Sequence, residues 1–235
     1  MGEFEVSEEI EAKTDQGANE PSSGGILMMP ENSEDAFYCL PIIGQIEGHY
    51  ALDSNQKSTK YDHVLPLLAS LEQSSRVKGI LILINTLGGD VEAGLAIAEV
   101  IASMEKPTVS IVLGGGHSIG VPLAVSADRS FIVPSATMTI HPVRTQGLVL
   151  GVPEAFDYLK KMQDRIIRFI VHHSKVEEDY FRDILGRTDT LVNDIGTILE
   201  GEEAVECGLI DEIGGIKEAL QALRDMCKSK NPTNI

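Results

Sequence analysis

A glycine-rich turn between an apolar strand and a helix is the feature that most restricts how this chain can fold. The turn covers residues 114–120, after a β-prone apolar segment at 109–113 and before a helix predicted over 121–127. Glycines permit a sharp turn, and the start of a helix offers free N–H groups and a partial positive charge. A hydroxyl at Ser118 can attack a carbonyl there while nearby amides bind the oxyanion. An ordinary strand-to-helix connection with a capping serine has the same pattern.

Strand and helix patterns alternate along the chain around this turn. Apolar runs predict strands, and apolar residues at helical spacing predict helices. The alternation predicts an α/β fold with a parallel sheet and right-handed crossovers. The predicted strands are 37–46, 77–84, 109–113, 129–133 and 138–140, and the predicted helices are 61–71, 90–104, 121–127, 151–173, 202–208 and 216–227. Residues 47–59 and 174–201 are interpreted as polar connections, and a short strand is expected after residue 208.

Two glycine-rich strand ends follow one another in this pattern, at Gly88 and Gly89 and at residues 114–120. Ligands of such sheets bind at the carboxyl ends of the strands. If the two strands are neighbours, the two turns face each other, and one can donate a backbone N–H to an oxyanion held by the other. His141 directly follows another short strand and can reach over the same crevice, although a single histidine is more commonly a satisfied structural residue.

Charge and composition exclude several classes of function. The 235 residues have a net charge of −17, and residues 1–35 contain ten acidic residues against one lysine. We therefore expect a disordered acidic tail over 1–35, one domain over 36–228 and a polar tail over 229–235. Nucleic acid and anionic membranes are not expected as partners.

Targeting and cofactor signals are also missing from the sequence. It contains no apolar run of about 18 residues, no signal peptide, and no metal-ligand or dinucleotide-binding pattern, so we expect no transmembrane segment, metal or cofactor. Three cysteines without metal-ligand spacing fit a reducing compartment, and we expect the cytoplasm.

Four segments together resemble the proteolytic subunit of Clp protease. Residues 85–97 resemble its Asn-Ser-Pro-Gly-Gly segment and the helix after it, and 116–120 resemble its Ala-Ala-Ser-Met-Gly nucleophile turn. Residues 138–142 resemble its Met-Ile-His-Gln-Pro strand, and 203–211 resemble its Glu-Ala-Val-Glu-Tyr-Gly-Leu-Val-Asp segment. The resemblance covers roughly 37–215 and is nearest to the branch of translocation-enhancing proteins. It implies a ClpP/crotonase-type superhelix of repeated β-β-α units with a protruding long helix.

The resemblance also implies a set of functional residues. Ser118 corresponds to the nucleophile and His141 to the general base, and the amides of Gly88 and Ile119 correspond to the oxyanion donors. Gly89 continues the backbone along which an extended peptide would lie. His117, next to the serine, is a weaker alternative base.

The third member of the family's triad has no direct counterpart here. The expected aspartate aligns with Gly196. The nearest acid is Asp194, which we take as the candidate third member, with Asn193 as an alternative group to orient the imidazole.

The resemblance therefore predicts an ATP-independent serine endopeptidase that cuts short or unfolded peptides, signal peptides among them. It implies a homo-oligomeric ring, but the acidic tail differs from the family's axial loop, so docking to a hexameric unfoldase ATPase is not expected. One alternative is a catalytically impaired scaffold or partner-binding protein. Another is an acyl-CoA enzyme of the crotonase type, against which the Ser–His pair and the lack of a basic patch argue.

Overall fold

A mostly parallel β-sheet forms the framework of the protein in a computed structural model that describes residues 26–28, 36–144, 151–188 and 195–230. Its strands are β1 (Ile26–Met28), β2 (Ala36–Glu47), β3 (Ser58–Lys60), β4 (Val77–Gly89), β5 (Thr108–Gly116), β6 (Arg129–Ile132), β7 (Thr137–Ile140), β8 (Thr197–Glu200) and β9 (Glu212–Ile213). The helices are α1 (Tyr61–Gln73), α2 (Val91–Ala102), α3 (Gly120–Val125), α4 (Val152–His172), α5 (Glu178–Gly186), α6 (Gly201–Glu206) and α7 (Ile216–Lys230).

The strand order places the two glycine-rich turns side by side. In the described part of the chain the sheet runs β1-β2-β4-β5-β6-β9, with β3 beside β2. β2, β4, β5, β6 and β9 are parallel, while β1 runs antiparallel to β2. β7 joins the end of β5 and pairs antiparallel with β8. The predicted α/β class is confirmed, and β4 and β5 are neighbours.

Both faces of the sheet are covered by helices, as the apolar run in β4 predicts. Ile80, Ile82 and Ile84 belong to the larger core cluster, which includes residues of α1, α2 and α3. Leu81 points the other way, into a smaller cluster with Ala219 and Leu223 of α7. Alternate side chains of one strand thus fill two cores, as expected for a strand buried on both faces.

Three segments predicted as connections or tail contain regular structure, since β3 also begins within residues 47–59. Residues 174–201 include α5 and β8, and the apolar residues 26–28 of the predicted tail pair with 37–39 of β2. α5 is only nine residues long and has two buried side chains, Phe181 and Ile184, among charged neighbours, so its apolar stripe is short. β1 is explained by three consecutive apolar residues, which extend the sheet at its edge.

Candidate active site

Ser118 stands at the tip of a tightly fixed turn after β5. Its φ of 56° is left-handed, and it is the one non-glycine residue with positive φ in the described ranges. The Ser118 N–H donates to the carbonyl of Thr139 in β7 over 2.8 Å, and the Ser118 carbonyl accepts the Val121 N–H of α3 over 3.0 Å. Non-glycine residues adopt this conformation only where their surroundings enforce it, commonly at functional sites. The turn is therefore the glycine-rich strand-to-helix turn that the sequence predicts, with a half-buried Ser118 at its tip.

The Gly88 backbone lies directly against Ser118. The β4–β5 ladder ends with Thr86 opposite Gly116, and the His117 N–H donates to the Thr86 carbonyl over 3.1 Å. A Cβ placed on Gly88 would come within 2.7 Å of Ser118 Cβ and 3.3 Å of its Oγ. The two glycine-rich turns therefore face each other, and only glycine fits at position 88.

The two predicted oxyanion amides differ in their hydrogen bonds. The Gly88 N–H donates to Thr86 Oγ1 over 3.0 Å, and that hydroxyl in turn donates to the Gly44 carbonyl over 2.5 Å. Within the described residues, the Ile119 N–H has no acceptor. An oxyanion beside Ser118 would thus find one unoccupied donor and would compete with a hydroxyl for the other.

His141 follows β7 and lines the same cavity as Ser118. Its Nδ1 lies 2.8 Å from the carbonyl oxygen of Pro142. A carbonyl can only accept, so Nδ1 carries the proton and a neutral ring has its lone pair on Nε2. In the described ranges Ser118 Oγ is not hydrogen-bonded to His141. Such contacts often tighten only when substrate binds.

His117 is oriented away from the role of base. Its Nδ1 accepts the Thr139 N–H over 3.1 Å and lies 2.9 Å from Thr139 Oγ1. Burial, together with the nearby His141, lowers the pKa of His117. In the neutral ring Nδ1 is already used as an acceptor, and Nε2 carries the proton. His117 thus fixes the serine turn to β7 and has no lone pair left for Ser118.

Comparison with known proteins agrees with this geometry. The sequence profile of the family described as Clp protease matches residues 39–217, more than half of the chain. The chain belongs to the Clp protease family. Over 208 residues the chain is 52% identical to the Translocation-enhancing protein TepA of Halalkalibacterium halodurans, covering 88% of this chain and 81% of that protein. It is 26% identical to the "Putative protease MJ0651" of Methanocaldococcus jannaschii over 220 residues, covering 79% and 67% of the two chains. The predicted family is confirmed.

The aspartate position of this Clp protease is occupied by a glycine that lies against the candidate base. Gly196 has a φ of 136°, and a Cβ there would come within 2.2 Å of the Ile140 carbonyl oxygen and 2.9 Å of His141 Cβ. Main chain fills the space that a side chain at this position would need. Asp194 and Asn193 lie outside the described residues, so the assignment of a third member to either stays a prediction.

An apolar cavity of about 130 Å³ extends from Ser118 and His141 into the protein. Ser118, His141, Arg144 and Gln163 are its polar lining residues, and the remainder is mostly apolar. The apolar lining comes from α2, α3, β7, α4 and α5 and from the turns beside them: Val91, Ile119, Val121, Ile140, Val143, Ile166, Ile170, Phe181 and Leu185. Such a cavity can hold an apolar side chain next to the serine.

Sequence reasoning missed the contribution of α5 and of Gln163 to this cavity. Phe181 and Leu185 are four residues apart, which is helical spacing, but they stand in a segment that reads as a polar connection. Gln163 is one of many polar residues on α4. Its Oε1 accepts the Val143 N–H over 2.8 Å. The two residues are 20 positions apart, so no local sequence pattern predicts this contact.

None of the helices in the described ranges is long and apolar enough to span a membrane.

Proposed function

We propose that this Clp protease is an ATP-independent serine endopeptidase with Ser118 as nucleophile and His141 as general base. The observation that carries the proposal is the left-handed Ser118 at the strand end, beside a cavity that it shares with a histidine whose Nε2 is unprotonated when the ring is neutral. Neither the backbone strain nor the paired residue types are needed for folding alone.

The chemical steps follow from these positions. His141 Nε2 takes the Ser118 proton as Oγ attacks the peptide carbonyl, and the Ile119 and Gly88 amides hold the oxyanion. The imidazolium then donates its proton to the leaving amine. Water, deprotonated by the same nitrogen, releases the acyl group and restores Ser118.

An extended peptide fits the proposal best as substrate. Gly88 and Gly89 pair with Gln45 and Ile46 of β2 on one side, while the ladder to β5 ends at Thr86. The opposite edge of these glycines can receive an added strand, with Gly89 beside the cavity. Because the relative from Halalkalibacterium halodurans is named for enhancing translocation, we include signal peptides and other unfolded segments of exported proteins among the substrates.

Labelling with a fluorophosphonate serine probe tests the nucleophile. We expect the wild type to be labelled, Ser118→Ala not at all, and His141→Ala only slowly, with all three proteins melting at similar temperatures. Cleavage of an unfolded polypeptide should follow the same order. Hydrolysis by Ser118→Ala at the wild-type rate would show that another group is the nucleophile.

Gly196 favours a second candidate function, a catalytically impaired scaffold. In that case the pairing of Ser118 and His141 would be a remnant, and the protein would bind peptides in the cavity without cutting them. A folded wild type that is not labelled, yet binds an unfolded peptide, would support the scaffold and exclude the peptidase.

A further inference from the structure

The Pro142 carbonyl accepts a hydrogen bond from the proton-bearing nitrogen of His141. The direction of this carbonyl is fixed by a second hydrogen bond of the same peptide group. A peptide group is planar and nearly always trans, so its C=O and N–H point in opposite directions. The Pro142 carbonyl belongs to the same peptide group as the Val143 N–H. That N–H donates to Gln163 Oε1 of α4 over 2.8 Å, while the carbonyl accepts from His141 Nδ1 over 2.8 Å.

These contacts form one chain of hydrogen bonds from α4 to the candidate base. Gln163 fixes the peptide plane, and the plane directs the Pro142 carbonyl at His141. The proline ring also restricts φ at Pro142 and keeps His141 in an extended conformation. Each link reduces the freedom of the imidazole.

A side chain from the family's aspartate position cannot perform this task here. Gly196 lies against His141, and its missing Cβ would overlap the Ile140 carbonyl oxygen. The acceptor that the described structure gives Nδ1 is instead a neutral main-chain oxygen.

We propose that Gln163 is a positioning residue, which holds His141 in the Nδ1–H tautomer through the Val143 N–H and the Pro142 carbonyl, in place of a carboxylate. The effect of Gln163 on catalysis rests on the proposed peptidase function. The tautomer of His141 does not depend on that function, because it is a property of the folded protein. A neutral acceptor fixes the orientation of the ring but stabilises the imidazolium less than a carboxylate does.

Two variants separate the acceptor role of Gln163 from its space-filling role. Gln163→Met has nearly the same length but no acceptor, whereas Gln163→Glu keeps an oxygen for the Val143 N–H. Lys160→Met, one turn earlier on the exposed side of α4, is the control for adding a methionine to this helix.

The tautomer is read from the ¹⁵N shifts of selectively labelled histidine at a pH where the rings are neutral, with His141→Ala to assign the signal. We expect Nδ1–H in the wild type, in Gln163→Glu and in Lys160→Met. We expect a tautomer mixture in Gln163→Met. An Nε2–H ring in the wild type, or an unchanged Nδ1–H ring in Gln163→Met, would overturn the inference.

Fluorophosphonate labelling rates provide the second readout. Gln163→Met should be slower by about 10²-fold, as expected for a misplaced catalytic group, and Gln163→Glu should recover most of that loss. If Asp194→Asn instead loses both the Nδ1–H tautomer and the labelling, the role belongs to Asp194 and the inference is wrong. Absence of labelling in the wild type would count against the peptidase alone, since the tautomer measurement still tests the inference.

Discussion

Ser118 is held in its left-handed conformation by main-chain hydrogen bonds to Thr139 and Val121, and Gly88 packs directly against its side chain. We expect Gly88→Ala to abolish labelling of Ser118 and to lower the free energy of unfolding by about 1–3 kcal/mol. The added Cβ would lie 2.7 Å from Ser118 Cβ and 2.9 Å from the His117 carbonyl oxygen, at a φ of 95° that alanine rarely adopts. Chemical denaturation and probe labelling measure the two effects.

Gly186→Ala is the control for the loss of a glycine. A Cβ at Gly186 meets no atom within 4 Å, and the residue lies at the end of α5. We expect unchanged labelling and unchanged or slightly increased stability. Equal labelling of Gly88→Ala and Gly186→Ala would contradict the close packing of Gly88 on the nucleophile.

His117 should make the stability of the protein depend on pH. Burial and the nearby His141 lower the pKa of His117 in the folded protein, so the unfolded chain binds a proton first as the pH falls. Well above pH 6.5, the approximate pKa of histidine in the unfolded chain, His117 has no effect on the free energy of unfolding. As the pH falls below that value the free energy of unfolding decreases, and the decrease stops once the pH is below the pKa of His117 in the folded protein. We expect a smaller decrease between pH 7.5 and 5.5 in His117→Asn, whose amide oxygen can still accept the Thr139 N–H.

Urea unfolding at the two pH values measures this difference. Contributions of titratable groups that do not interact with His117 are common to both proteins and cancel in the comparison. A decrease of the same size in wild type and His117→Asn would mean that the buried imidazole does not titrate differently in the folded state.

At the residue scale, the sequence predicts which side chains lie near the cavity better than it predicts their hydrogen-bond partners. Ser118 and His141 stand in recognisable turns and strand ends, and the structure places them on one cavity. The hydrogen bonds of Gly88 and His141 are not visible in any motif, although their partners Thr86 and Pro142 are close in the chain. The Thr86 hydroxyl is also bonded to the Gly44 carbonyl, and the peptide group of the Pro142 carbonyl is bonded to Gln163, and both contacts come from distant parts of the sequence. The sequence places a glycine at the family's aspartate position, but it does not reveal that the packing of Gly196 against Ile140 and His141 leaves no room for a side chain.

At the scale of elements, α2 begins directly after the glycines of β4, and Asp90 is its N-cap. The Asp90 side chain accepts the Ala93 N–H over 2.8 Å, which is the usual contact of a capping aspartate. We expect Asp90→Ala to lower the free energy of unfolding by about 1 kcal/mol. Because the cap also fixes the end of the Gly88–Gly89 segment, probe labelling should slow as well.

Asp62 offers a matched control in the first turn of α1. It lies near a helix start without being the N-cap residue, so Asp62→Ala should cost only a few tenths of a kcal/mol through the helix dipole. Thermal or urea unfolding measures the loss in the free energy of unfolding of each variant relative to the wild type. A loss in Asp90→Ala no larger than that in Asp62→Ala would show that the cap is not needed.

Elements with a long apolar stripe or run were predicted from the sequence, and so were several short ones, but α5 and β8 were not. α2, with its apolar stripe, forms within two residues of the expected bounds. β4, predicted from a continuous apolar run over 77–84, begins at Val77 as expected but continues to Gly89. α5 and β8 are stabilised mainly by what they pack against: Phe181 and Ile184 are buried, and Thr197 donates from its hydroxyl to the Ile184 carbonyl. Tertiary contacts of this kind have no signature in a local window of sequence.

At the scale of the whole molecule, α4 is divided into a buried and an exposed half. Met162, Ile166 and Ile170 near its end are buried, whereas Phe156 near its start is 66% exposed. The buried half borders the cavity beside Ser118. The exposed half presents apolar side chains that nothing in the described part of the protomer covers.

An oligomeric ring, which the family resemblance implies, would give this half of α4 a partner surface. We expect Phe156→Asp to shift the protein to a smaller assembly in native mass spectrometry and light scattering, because a charge would replace an apolar contact. The helix itself should persist, since an acidic residue near a helix N-terminus is favourable. Tyr50→Asp, which changes an 89% exposed aromatic residue outside α4, should leave the mass unchanged. If Phe156→Asp assembles like the wild type, the exposed half of α4 is not a subunit contact, and the ring would have to form through another surface.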